Sequence, residues 1–144
     1  MQLIAIIEES WGWTGLRPQL VIGDNAFGNL IVKDFEEHYW RLRPEDPCCR
    51  MIAASRAELD TLSNDQGFSH DWNMTELVRQ AKERLGPLRP GFKCCLKIPS
   101  VLGGEYGGDN VATMPLEELV SVSGSIARQI DQLPDGASIS LVVK

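Results

Sequence analysis

Long hydrophobic runs are missing from the start of this sequence. The longest apolar run there, "LIAII", has five residues and is followed by Glu8 and Glu9. A signal peptide needs an apolar region of about 7–15 residues, and a membrane-spanning helix needs about 20. The sequence therefore argues against secretion and membrane insertion, and we expect a cytoplasmic protein.

Basic residues are also few. The 14 Lys and Arg residues are outnumbered by 20 Asp and Glu residues, which gives a formal net charge of -6 at pH 7. Affinity for nucleic acid comes largely from Lys and Arg contacts with phosphates, so we expect no direct nucleic-acid partner. An acidic surface instead speeds the encounter with a basic protein, through a long-range attraction that weakens with salt.

Cysteines with the spacing of metal ligands or of a disulfide framework are absent. The four cysteines form two adjacent pairs, Cys48-Cys49 and Cys94-Cys95. Metal-binding cysteines are usually separated by about two to four residues, whereas adjacent side chains on a strand point to opposite faces. We therefore expect structural cysteines, no metal and no cofactor.

Histidine is scarce as well, which limits the possible catalytic sites. His38 and His70 are the only two histidines. "SHD" at residues 69–71 contains the residue types of a hydrolase triad, but consecutive side chains diverge and cannot form the proton relay. Pairs of adjacent acids do not converge on one substrate bond either. We predict that the protein is not an enzyme; the remaining enzymatic alternative is an unrecognised hydrolase that uses one of these histidines.

The hydrophobic pattern mixes helices and strands without a regular alternation. An amphipathic helix is expected at "QLIAIIEES", and an antiparallel meander of three strands is expected between Leu20 and Arg43. Longer helical stripes occur in "NMTELVRQAKERLG", with Asn73 as the expected cap, and in "TMPLEELVSVSGSIARQIDQL". Further strands are expected at "GFKCCLKIP" and at the C-terminal "ASISLVVK". The pattern predicts a single α+β domain over residues 1–144, with a mainly antiparallel sheet packed by helices.

Local signals refine this pattern. Ser55 and Glu58 have the spacing of a capping box, so a helix should begin at "SRAE" after a short strand at "RMIAA". In "HYWRLR", the face that carries Trp40 and Leu42 should point to the core. Gly124 interrupts the last helical stripe; an interior helical glycine costs about 1 kcal/mol relative to alanine, which close packing or a kink could offset.

The most unusual local sequence is "VLGGEYGGDN", residues 101–110, which contains four glycines. A Walker loop needs a lysine and a hydroxyl after its last glycine, and a dinucleotide fingerprint needs G-x-G-x-x-G. Neither pattern is present, and Glu105 and Asp109 would repel an anion. Too few oxygen ligands are suitably spaced for calcium. We interpret the segment as a structural or interface loop.

Five sequence blocks, taken in order, are similar to one known family. They are "NAFGNLIVKD", "YWRLRPED", "DWNMTELVRQAKERLGPL", "LKIPSVLGGEYGGDN" and "ELVSVSGSIARQIDQLPDG". From about Trp11 to the C terminus, the chain resembles the C-terminal domain of the Tdi-type immunity proteins of bacterial type VI secretion systems. Members of that family neutralise toxic effector nucleases, typically DNases, by binding them in the cytoplasm. Many carry an additional N-terminal GAD-like domain, which we do not expect in this chain.

The resemblance implies a non-enzymatic immunity protein that binds and neutralises a cognate type VI secretion toxin, a nuclease, by occlusion. The alternative is a small-ligand-binding or regulatory domain that uses a groove beside the glycine-rich loop. On the first interpretation, acidic and aromatic side chains on loops would contact the toxin, although each could instead stabilise the fold or be merely solvated. The candidate partner-binding residues are Trp11, Trp13, Glu36, Glu37, Glu105, Tyr106 and Asp109.

Overall fold

The computed structural model describes residues 2–133 and confirms the α+β class. The C-terminal strand expected at "ASISLVVK" lies outside this range. No helix within residues 2–133 is long and apolar enough to cross a membrane. The elements are α1 (Gln2–Trp11), β1 (Pro18–Asp24), β2 (Leu30–Asp34), β3 (Tyr39–Arg43), β4 (Cys48–Ala53), α2 (Arg56–Ser63), α3 (Gln66–Asn73), α4 (Thr75–Leu85), β5 (Phe92–Leu96), β6 (Val111–Pro115) and α5 (Leu116–Asp131).

Strands β1 to β4 form an antiparallel sheet in sequential order. The meander and its first three strands are confirmed, but β4 is longer than the short strand expected at "RMIAA". It begins at Cys48, which pairs with Arg43, while Cys49 pairs with Leu42. The adjacent cysteines thus belong to the sheet, and their side chains point to its two opposite faces.

One face of this sheet packs against α1 and α5. Trp11 of α1 is fully buried, and its indole Nε1 donates a hydrogen bond to the carbonyl of Val120 in α5, 3.1 Å away. The expected orientation of β3 is confirmed for Leu42, which is buried here, and for Trp40, which packs at the edge of the cluster. The buried members are Ile7, Trp11, Leu16, Leu30, Val32, Leu42, Val120 and Ala127.

The opposite face of the sheet is also covered. Tyr39 and Ala53 pack there against Leu59 of α2, and the guanidinium of Arg41 lies over the ring of Trp72 in α3, 5.1 Å from its centroid. The helix α2 begins at the expected capping box, because the Ser55 side chain accepts a hydrogen bond from the Glu58 amide. The four-stranded sheet therefore lies between two helical layers.

A second, two-stranded sheet is formed by β5 and β6. With α4 it encloses a separate apolar cluster around Phe27, Cys94 and Val111. The expectation that "TMP" belongs to the last helix is wrong, because these residues end β6 and α5 starts only at Leu116. The physical reason is Pro115, since a proline biases the residue before it towards extended backbone.

The sequence does not predict α3, and the start of α4 differs from the expectation. Asn73, the expected cap of "NMTELVRQAKERLG", is the last residue of α3, and Thr75 begins α4. Met74 between them has a positive φ of 46°, a conformation uncommon for residues other than glycine. The Asn25 side chain holds this junction by donating to the carbonyl of Trp72, 2.8 Å away.

Gly124 lies where α5 packs closely against the backbone of α1. A Cβ atom at this position would lie 2.5 Å from the carbonyl oxygen of Ser10 and 2.8 Å from its Cβ. Close packing is thus the reason for an interior glycine in α5.

We expect Gly124→Ala to destabilise the protein, although alanine favours a helix by about 1 kcal/mol. Separating two packed backbones should cost about 1–3 kcal/mol and outweigh that gain. Urea unfolding would measure the change. Gly12→Ala is the matched control, because its Cβ would meet only the Glu8 side chain at an ordinary 3.9 Å. Equal stability of the two variants would contradict the explanation.

Candidate functional site

The two tryptophans proposed as partner contacts lie against the core. Trp11 is fully buried, and Trp13 stacks on it with ring centroids 6.2 Å apart. The indole of Trp13 is partly buried and donates to the carbonyl of Ser10, 3.0 Å away. These residues therefore provide no exposed aromatic ridge.

The acidic candidates at residues 36 and 37 lie on the turn between β2 and β3. We call residues 35–38 the hairpin tip. Its side chains are strongly exposed: Glu36 by 82% and Glu37 by 77%. Phe35, which the sequence analysis did not single out, is exposed by 69%. The sequence shows an aromatic residue between two acids, but only the structure shows that its ring is exposed and not part of the core.

Asp34 holds the hairpin tip in one conformation. Its Oδ1 accepts hydrogen bonds from the amides of Glu36 and His38, both at 2.9 Å, and its Oδ2 accepts from the Trp40 indole at 2.9 Å. Burial alone would raise the pKa of Asp34, but the hydrogen bonds from Trp40, His38 and Glu36 outweigh it and lower that pKa below its ordinary value. The tip is thus fixed by an ionised carboxylate.

The remaining candidates lie between β5 and β6, in residues 97–110, which we call the glycine loop. Asn110 fixes its shape: its side-chain oxygen accepts from the Ile98 amide at 2.8 Å, and its Nδ2 donates to the carbonyls of Ile98 and Glu105 at 2.9 and 2.8 Å. Gly104 is required, because a Cβ there would lie 1.8 Å from the Ile98 carbonyl oxygen. The glycines let the loop fold back on itself.

The glycine loop is also fastened to the turn between β3 and β4. The Ser100 hydroxyl donates to Asp46 Oδ1 at 2.6 Å, and the Ser100 amide donates to the Glu45 carbonyl at 3.1 Å. Tyr106 forms a side-chain hydrogen bond with Ser100, while partial burial raises the pKa of its hydroxyl. The loop is therefore held to the larger sheet.

This loop presents apolar side chains to solvent. Ile98 and Val101 are each 53% exposed and Tyr106 is 49% exposed, with the exposed Glu105 beside Tyr106 in the chain. We call these four residues the glycine-loop surface. Asp109 differs from them, because its carboxylate pairs with Arg84 of α4 at 2.7 Å. Of the three candidates in the loop, Glu105 and Tyr106 are thus exposed on the same loop as two apolar residues, Ile98 and Val101, that were not among the candidates.

A buried polar network supports both the turn and the sheet. Asn29 is fully buried; its side-chain oxygen accepts from Arg41 Nε and Nη2 at 3.0 and 2.8 Å, and its Nδ2 donates to Glu45 Oε1 at 2.6 Å. Arg41 also donates to Asp71 Oδ2 at 2.6 Å, and Arg43 donates to Glu45 Oε2 at 3.1 Å. These charges stabilise the scaffold and leave little of Arg41 or Glu45 exposed.

The cysteine thiols are buried or partly buried, and the two histidines lie on separate elements. Burial raises the pKa of Cys49 to about 12 and that of Cys95 to about 11, so both thiols are protonated and unreactive at neutral pH. His38 lies at the hairpin tip, and His70 lies in α3. In the range 2–133, no three His, Cys, Asp or Glu residues are grouped as metal ligands.

The role of Asp34 predicts a pH-dependent contribution to stability. Because its folded pKa is lowered, the ionised carboxylate stabilises the fold above its ordinary pKa near 3.8, and this stabilisation is lost as the pH falls through the lowered value. Asp34→Asn should cost about 1–3 kcal/mol at about pH 6. Its difference from the original protein should shrink at about pH 2, as measured by urea unfolding.

Glu37→Gln is the control, because it removes the same charge from an exposed side chain of the same tip. Its pH profile should run parallel to that of the unmodified protein. A parallel profile for Asp34→Asn as well would show that Asp34 does not act through its charge.

More than half of the chain matches the model of a known protein family. A family model described as "T6SS immunity protein Tdi1, C-terminal" matches residues 53–127, just over half of the chain. This segment runs from the end of β4 into α5 and contains the whole glycine loop, whereas the hairpin tip precedes it. A search of curated proteins finds no match. The expected resemblance is confirmed for residues 53–127, and the chain belongs to the family of type VI secretion immunity proteins that is defined by the C-terminal domain of Tdi1.

Proposed function

We propose that this protein binds a cognate type VI secretion toxin, a nuclease, and neutralises it by occlusion without catalysing a reaction. The observation that carries the proposal is the glycine-loop surface. It exposes Ile98, Val101 and Tyr106 on a loop whose conformation is already fixed by Asn110 and Ser100. Exposed apolar groups on a preorganised loop favour protein binding, because little conformational entropy is lost on association.

The position of this surface fits the family assignment. The glycine loop lies inside the segment that matches the family model. Its aromatic residue, Tyr106, keeps a polar hydroxyl next to an apolar ring, a combination that is enriched at the centres of protein interfaces. The loop is carried by two sheets rather than by a flexible linker, as is typical of binding loops.

The hairpin tip provides a second contact in this proposal. Phe35 is the aromatic residue that would insert into the toxin, and Glu36 and Glu37 would face basic groups around it. A nuclease must attract polyanionic nucleic acid, so the approach to its active site is commonly basic. Acidic side chains on the inhibitor would accelerate association and occupy the region that substrate phosphates would enter.

The experiment that tests this function uses the full chain and its cognate toxin, which we expect to be a nuclease encoded by a neighbouring gene. Co-expression should restore growth, and the purified proteins should form a stable complex with no nuclease activity. A toxin that stays active and unbound in the presence of the protein would overturn the proposal.

Surface variants of the same protein locate the contact. The double variant Ile98→Ser, Tyr106→Ser should weaken binding by about tenfold or more, since hot-spot truncations commonly have effects of that size. Leu85→Ser is the control, because Leu85 is 43% exposed on α4 and lies outside the glycine loop. Circular dichroism should show that both variants remain folded.

Charge reversal at the hairpin tip tests electrostatic attraction separately. Glu36→Lys combined with Glu37→Lys should lower the association rate by about tenfold at low salt and by less at high salt, because exposed charges are screened. Stopped-flow or surface-binding kinetics at two salt concentrations would measure this. Association that is unchanged at low salt would remove the tip from the proposed interface.

A further inference from the structure

A groove of about 590 Å³ lies beside the glycine loop, on the sheet face covered by α2 and α3. Arg41, Arg43 and Arg50 line it from β3 and β4, and Val101 of the glycine loop lines it too. Apolar side chains complete the wall, including Leu62 of α2 and Phe68 of α3. The groove therefore joins a cationic strand surface to an apolar wall, at the edge of the glycine-loop surface.

Strand pairing places the three arginines on one face. Arg41 pairs directly with Arg50 across β3 and β4, and Arg43 is two residues beyond Arg41 on the same face of β3. Like charges directly opposite each other on a sheet are destabilising. Only one acidic residue, Asp46, lines the groove with them, and Ser100 donates to its Oδ1. Asp71 pairs with Arg41 and Glu45 pairs with Arg43, so the positive charge that stays unpaired at the groove, among the described residues, is that of Arg50.

The three arginines differ in how far their charges are satisfied. Arg41 is committed to Asn29 and Asp71, and Arg43 donates to Glu45 through Nε. Arg50 is exposed, and within residues 2–133 its guanidinium has no hydrogen bond or ion pair. The structural network explains the first two arginines and leaves the third free to bind a ligand.

We infer that this groove receives an acidic side chain of the toxin, with an apolar neighbour of that residue packed against Phe68 and Leu62. The guanidinium of Arg50 would bind the carboxylate in a two-bond, charge-assisted contact. Arg43 lies diagonally across the strand pair from Arg50, which is within reach for long side chains. The inference rests on the proposed function and specifies the chemistry of the partner.

Two observations favour a toxin side chain as the occupant. First, Val101 belongs both to the groove and to the glycine-loop surface, so a protein bound to that surface would continue into the groove. Second, the cationic groove and the acidic hairpin tip give the protein regions of opposite charge. A partner with the complementary arrangement is bound in one orientation, because the reversed orientation brings like charges together.

Arg50→Glu tests the inference in the complex of the full chain with its cognate toxin. The dissociation constant should rise by about tenfold or more, mainly through faster dissociation, because the carboxylate loses its partner and meets a like charge. Arg50→Gln should have a smaller effect in the same direction. Replacing the contacting toxin acid with lysine should restore binding to Arg50→Glu, which identifies a direct pair.

Arg89→Glu is the matched control for net charge. It makes the same charge change at an exposed residue before β5, and the Arg89 guanidinium lies over the Phe92 ring, outside the groove. If Arg50→Glu weakens the complex no more than Arg89→Glu, the inference is overturned while the proposed function stands. If the unmodified protein does not bind the toxin, the proposed function itself fails, and the inference fails with it.

Discussion

The buried amide of Asn29 is the interaction on which the other parts of this structure depend. Its oxygen binds the guanidinium of Arg41, and its nitrogen binds the carboxylate of Glu45. A single neutral side chain thus separates and satisfies two buried charges, each of which would be strongly unfavourable without a partner. Through Arg41 the network reaches Asp71 of α3, and through the backbone of Glu45 it reaches the glycine loop at Ser100.

This arrangement lets exposed apolar groups coexist with a stable fold. The buried side chains of Arg41 and Glu45 have their hydrogen-bond partners in the interior. Phe35 and Tyr106, in contrast, remain exposed on turns. Both turns are held by side-chain oxygens that accept backbone amides, from Asp34 at the hairpin tip and from Asn110 in the glycine loop. Exposed residues can therefore vary on such turns with little effect on the core.

The sequence predicts the parts of this fold that depend on local periodicity. The first helix, the meander, the Ser55 cap and the class of the fold follow from residue spacing. The break between α3 and α4 depends on Met74 at positive φ, held by the distant Asn25, and local propensity carries no signal for it. Likewise, alternation along β3 assigns Arg41 to an outer face, whereas α3 covers that face and buries it. The exposure of Phe35 and Val101 depends on tertiary packing, which local sequence patterns do not show.

The attachment of the glycine loop determines the smallest unit that could be moved to another scaffold. Residues 97–110 contain the internal bonds of Asn110, but the partners of Ser100 lie in the turn between β3 and β4. Asn29 and Arg43 hold that turn in place through hydrogen bonds to the Glu45 carboxylate. A graft that transfers only the loop would lose these external bonds, whereas a chimera that also includes residues 29–53 would keep the loop and its support together. Exchange of specificity between relatives should therefore proceed in units larger than loops.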